Sequence, residues 1–114
     1  MEVGEYVRTD DGLIGKIVSE PYEYKDSIVH DIDFGDNNIY NEYEMYQNII
    51  KTSPSIIDIL EVGDYVNGLK VQGVNNEIKG FGTIIFSKDS SIMEDYIYSI
   101  VTKEQFKNIE YEVK

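Results

Sequence analysis

One phrase occurs twice in this chain. EVGEYV begins at Glu2 and EVGDYV begins at Glu61. Val3, Gly4, Tyr6 and Val7 thus match Val62, Gly63, Tyr65 and Val66. Further likenesses follow in the same order. Ile32-Asp33-Phe34 answers to Ile84-Ile85-Phe86, and the run from Asn48 to Thr52 answers to the run from Ser99 to Thr102. The order is kept while the spacing drifts, which is the mark of a diverged duplication. Two like units are expected, over residues 1–59 and 60–114. Units of that size bury little surface alone. The apolar segment holding Ile56, Ile57, Ile59 and Leu60 is therefore expected to pack the halves together.

Each half reads as a series of short strands. The first half predicts strands over Glu5–Thr9, Leu13–Tyr24, Ser27–Phe34 and Asn48–Thr52, and over Ile39–Tyr46 either a strand or a strand leading into a helical turn. Turns fall at Asp11-Gly12 and at Gly35 to Asn38. Gly15 marks a bulge in the long second strand, and Pro21 marks its far end as an edge. Along the third, Ile28, His30, Ile32 and Phe34 share one face. The second half predicts Asp64–Asn67, Leu69–Asn75, Gly80–Phe86, Ser91–Tyr98 and Ser99–Thr102, with a turn at Asn67-Gly68. A short helix follows each last strand. Ser53-Pro54 suits a helix start, and Thr102-x-x-Gln105 has capping-box spacing. Ile109–Val113 alternates as a final strand. The fold class is mainly β: two tandem small SH3-like β-barrels with short helical turns.

Composition narrows the chemistry. There is no Cys, so disulfides and thiolate metal sites are excluded. The acidic N-terminal stretch is unlike a signal peptide, and no apolar run approaches a membrane span, so a cytoplasmic location is expected. Seventeen Ile, ten Tyr and no Ala point to a low-GC genome. The lone His30 lacks the partners of an ordinary zinc site. Asp31, Asp33 and Asp36 lack the remaining positions of a calcium loop, so no metal and no cofactor is expected. No nucleophile motif or phosphate cradle is present, and the chain reads as non-enzymatic.

The opening VGEYVRTDDGLIGKIV resembles KOW and Tudor barrels over sixteen residues. That resemblance implies nucleic-acid binding, which a net charge of -12 with one Arg opposes. The whole chain resembles a group of small, uncharacterised acidic proteins of low-GC Gram-positive bacteria and their phages. VGEYVRT, IIKTSPSIIDILEVGDYVNG and IVTKEQF carry this likeness, which implies a mobile-element origin.

The charge is concentrated. The segment from Glu20 to Glu44 has eight acids and one base, Lys25, interleaved with tyrosines. Tyrosine suits interfaces, and spaced carboxylates can imitate phosphates toward Arg clusters. The expected partner-binding residues are Glu20, Tyr22, Glu23, Tyr24, Asp26, Asp31, Asp33, Asp36, Tyr40, Glu42, Tyr43 and Glu44. The expected partner is the basic surface of a nucleic-acid-binding host protein, such as a CRISPR or restriction effector, which the chain would inhibit. The alternative is a structural or adaptor protein, with the charge serving solubility alone.

Overall fold

The computed structural model of the protein describes residues 1–75 and 82–109. Its contacts divide the chain into Met1–Ser55 and Ile56–Lys114. The secondary structure is mainly β.

In the first unit, β1 (Tyr6–Thr9), β2 (Ile14–Ile17), β5 (Asp31–Asp33), β6 (Ile39–Asn41) and β7 (Ile49–Ser53) form one sheet. The order is β6-β5-β2-β1-β7, and every pairing is antiparallel. The last strand therefore returns to the first. Val7, Ile17 and Ile32 are fully buried at its centre, with Phe34, Met45 and Ile49 packed against them. A separate hairpin, β3 (Tyr22–Tyr24) with β4 (Ser27–Val29), leaves the sheet between β2 and β5.

In this unit two of the long strands expected from sequence are broken and the fourth ends at Asn41. The second ends at Ile17, and Tyr22–Tyr24 pairs elsewhere. The third breaks at His30, which moves the apolar face by one residue. Val29 is 2% exposed while Ile28 is 65% exposed, the reverse of the expected alternation. Gly15 is no bulge, since it pairs in register with Val7. Its role is close approach, because a Cβ there would sit 2.7 Å from Ile32 Cγ2.

In the second unit, α1 (Ile56–Ile59) precedes β8 (Tyr65–Val66), β9 (Leu69–Lys70) and β10 (Gly73–Asn75). There follow β11 (Thr83–Ser87), β12 (Ser90–Met93), a 3-10 turn (Glu94–Tyr96), β13 (Ile100–Val101) and α2 (Lys103–Ile109). Two small sheets result, β10-β11-β12 and β13-β8-β9. Among the described residues no sheet closes on itself. Ile57 and Leu60 join Val66, Val71, Ile84 and Phe86 in the core, and Ile56 packs on it. Of the four residues expected at the seam, Ile56, Ile57 and Leu60 thus serve the second unit's own core. Residues 80, 81 and 110–113, which fall in two expected strands, lie outside the described residues; Ile109 ends α2.

The repeated phrase has a local physical cause. In both copies Gly holds positive φ, 93° at Gly4 and 100° at Gly63. The fourth residue's N–H closes a turn on the first residue's carbonyl: Glu5 to Glu2 and Asp64 to Glu61, both at 3.1 Å. The fourth residue's carboxylate then accepts from the first residue's N–H, at 3.2 Å for Glu5 and 2.8 Å for Asp64. Glu-Val-Gly-acid is thus a self-bonded turn, and Tyr-Val begins the strand after it. The glycine of each turn makes a matching bond, Gly4 N–H to Ile17 O and Gly63 N–H to Val71 O. At the other end the likeness is shifted. Val7 pairs with Thr52 and Val66 with Ile100, so Thr52 and Ile100 are the equivalent residues.

Of the two expected helix starts, Ser53-Pro54 is displaced, since Ser53 ends β7 and α1 begins at Ile56, whereas the start of α2 follows its sequence rule. Thr102 N–H donates to Gln105 Oε1 at 3.1 Å, and Gln105 N–H donates to Thr102 Oγ1 at 3.3 Å. This is a reciprocal capping box. No helix among the described residues is long and apolar enough to cross a membrane.

Candidate binding face of the first unit

The β3–β4 hairpin turns through Lys25 and Asp26, both at positive φ (47° and 64°). Contacts from Tyr22, Tyr24 and the adjoining His30 hold it to β5, β6 and the turn after β6. Tyr22 OH donates to Asp31 Oδ1 at 2.5 Å and accepts from Asn41 Nδ2 at 3.3 Å. Tyr24 meets the edge of Tyr43, with ring centroids 5.6 Å apart. Glu42 Oε1 accepts from both the N–H and Nδ1 of His30, each at 2.6 Å. Glu42 thereby occupies the backbone donor freed where the strand breaks. Lys25 Nζ lies 5.5 Å from the Tyr24 ring centre and 5.3 Å from that of Tyr43.

The turn after β6 is capped like a helix. Asn41 Oδ1 accepts from Glu44 N–H at 2.9 Å, and Glu44 Oε1 accepts from Asn41 N–H at 3.4 Å. Ile39 N–H is bonded to Asn37 O. Two donors of β6 are thus already engaged at this sheet edge, which weakens it as a template for a partner strand.

The structure brings Tyr22, Tyr24, Asp31, Glu42 and Tyr43 into one cluster. Asp33 stands apart from it and accepts from Gly35 N–H at 2.8 Å. Glu20, Glu23, Asp26 and Asp36 are exposed. Four of the eight acids therefore bond the chain to itself, namely Asp31, Asp33, Glu42 and Glu44. Sequence periodicity carries no sign of this division, because both kinds look like solvated carboxylates.

Tyr40 and Glu44 belong to a neighbouring feature, a cleft of about 430 Å³. Leu13, Phe34, Met45 and Tyr46 also line it, with Asn38 and Gln47. Tyr46 is fully exposed and Tyr40 is half-exposed. The cleft was not read from sequence, because its walls come from the β1–β2 loop, the β5–β6 turn and the turn after β6. Of its lining, only Tyr40 and Glu44 are among the partner-binding residues expected from sequence.

Cations are scarce on this unit. Its only arginine, Arg8, is fully buried on β1. Among the described residues, no group of three His, Cys, Asp or Glu is placed to hold a metal ion.

Tyr22 has a shifted titration. Its hydrogen bond to Asp31 is the main cause and raises its pKa above 10.0; Asn41 acts the other way. The neutral phenol is the bonded form. Any stability from this pair is therefore present below the ordinary tyrosine range and lost as pH rises through the raised value. Carbon-detected NMR of the ten tyrosines should show Tyr22 ionising above its ordinary value. Asp31→Asn should lower it; an unshifted Tyr22 would exclude the bond.

No family model, curated protein or solved structure matches this chain.

Proposed function

We propose that this protein is a non-catalytic binding protein of a phage or mobile element, acting in the cytoplasm of its bacterial host. It occupies the basic surface of a host nucleic-acid-processing defence protein, in the manner of an anti-CRISPR or anti-restriction inhibitor. The observation that carries this reading is the arrangement of charge on the first unit. Glu20, Glu23, Asp26 and Asp36 are exposed, Tyr22, Tyr24 and Tyr43 of the same unit are held in fixed contacts, and the unit's one arginine is buried. Such a surface repels nucleic acid and attracts basic protein. The return of β7 to β1 supports a small SH3-like barrel for this unit. The second unit fits the same plan, since β9 and β10 together take the place of β2.

The test follows from the division among the carboxylates. Reversing Asp31, Asp33, Glu42 or Glu44 would disturb the turns and hairpin they hold, so their loss says little about binding. Converting Glu20 and Glu23 to Lys together with Asp26 and Asp36 to Asn, which tolerates their positive φ, should leave the circular dichroism spectrum unchanged. It should weaken capture of the partner from a nuclease-treated lysate by at least about tenfold. Undiminished capture by the folded variant would exclude the acidic face as the interface.

A further inference from the structure

We infer that the cleft beside this face is a receptor for a single arginine side chain of the partner, a proposal that rests on the basic-partner reading above. The cleft combines three features that an arginine needs together. Leu13, Phe34 and Met45 offer apolar surface to the aliphatic stem. Tyr40 and Tyr46 are exposed aromatic rings on the same cleft, able to stack on a guanidinium. Glu44 supplies a carboxylate; it is exposed, and its bond to Asn41 N–H is long at 3.4 Å. No Lys or Arg lines the cleft. Asp11 bonds the lining residue Gln47 at 3.2 Å, which adds negative charge beside it.

The charge favours a cation over an apolar side chain, and the ring-lined walls favour arginine over lysine. A lysine ammonium is more strongly hydrated and cannot stack as a plane. The cleft is open enough for Tyr46 to remain fully exposed, which suits a side chain presented by a protein surface.

The test uses the full chain, labelled with 15N, and two tripeptides, acetyl-Arg-Arg-Arg-amide and acetyl-Lys-Lys-Lys-amide. The arginine peptide should bind at least about threefold more tightly. Its shifts should centre on Leu13, Tyr40, Glu44 and Tyr46. Tyr46→Ala alters a fully exposed side chain and should preserve the fold while removing the preference. Glu44→Gln retains an acceptor for Asn41 and should do the same. Equal binding of both peptides, shifts spread over the acidic face, or binding of neither would overturn the proposal. The two claims fail separately. A captured partner indifferent to Tyr46→Ala and Glu44→Gln would remove the arginine receptor and leave the acidic interface standing. Selective arginine binding without capture of a nucleic-acid enzyme would do the reverse.

Discussion

Replacing Asp64 by Ala should destabilise the second unit by about 3 kcal/mol, measured by urea denaturation. Asp64 is fully buried. Its Oδ2 accepts from Glu61 N–H at 2.8 Å and its Oδ1 from Lys103 N–H at 2.9 Å. One carboxylate therefore closes the repeated turn and ties it to the start of α2. Lys103 adds a 2.6 Å contact from Nζ to Glu61 Oε1, but this pair is partly exposed and contributes little. Hydrogen bonds to a charged acceptor contribute about 1.5–3 kcal/mol each, and the Ala variant loses two. Asn cannot replace Asp here, because its amide nitrogen would face a donor. The matching Glu5 bond in the first unit is exposed and 3.2 Å long. Glu5→Ala should thus cost only about 0.5 kcal/mol. A loss below about 1 kcal/mol for Asp64→Ala would contradict this account of the repeat.

Gly15→Ala should cost about 1–3 kcal/mol, although Ala is ordinarily the better strand residue by about 0.5–1 kcal/mol. The added methyl carbon would stand 2.7 Å from Ile32 Cγ2 and 2.8 Å from Phe34 Cδ1. Neither neighbour yields easily. Cγ2 is fixed to the β-carbon of a fully buried Ile, and the Phe34 ring packs on the same core. Overpacking therefore outweighs the gain in chain stiffness. Phe34→Leu should relieve part of the strain, so the double variant should lose less than the sum of the single losses. A neutral or stabilising Gly15→Ala would show that β2 and β5 are not this close.

The features legible in sequence were those set by neighbours along the chain. The turn glycines, the Asn67-Gly68 hairpin and the Thr102–Gln105 box depend on bonds within a few residues, and each is found where its residues predict. The breaks in the long strands were hidden because they depend on distant partners. His30 interrupts a run of good strand formers through Glu42, twelve residues away. Once that contact forms, Val29 turns inward and Ile28 outward, against the simple alternation. The acidic tyrosine-rich segment was visible as composition. Which of its acids bond within the chain was not, because that depends on where the fold places Tyr22, Gly35, His30 and Asn41. The cleft was invisible for the same reason, being assembled from three loops.

The most direct test of the central claim is capture by the immobilised full chain from a nuclease-treated lysate of a low-GC Gram-positive bacterium with intact defence systems. Bound protein is eluted in a salt gradient, with and without added DNA or RNA. The expected result is a nucleic-acid-processing enzyme released at moderate salt and displaced by the nucleic acid. Recovery of no such protein, or of proteins held through high salt and indifferent to nucleic acid, would contradict the claim.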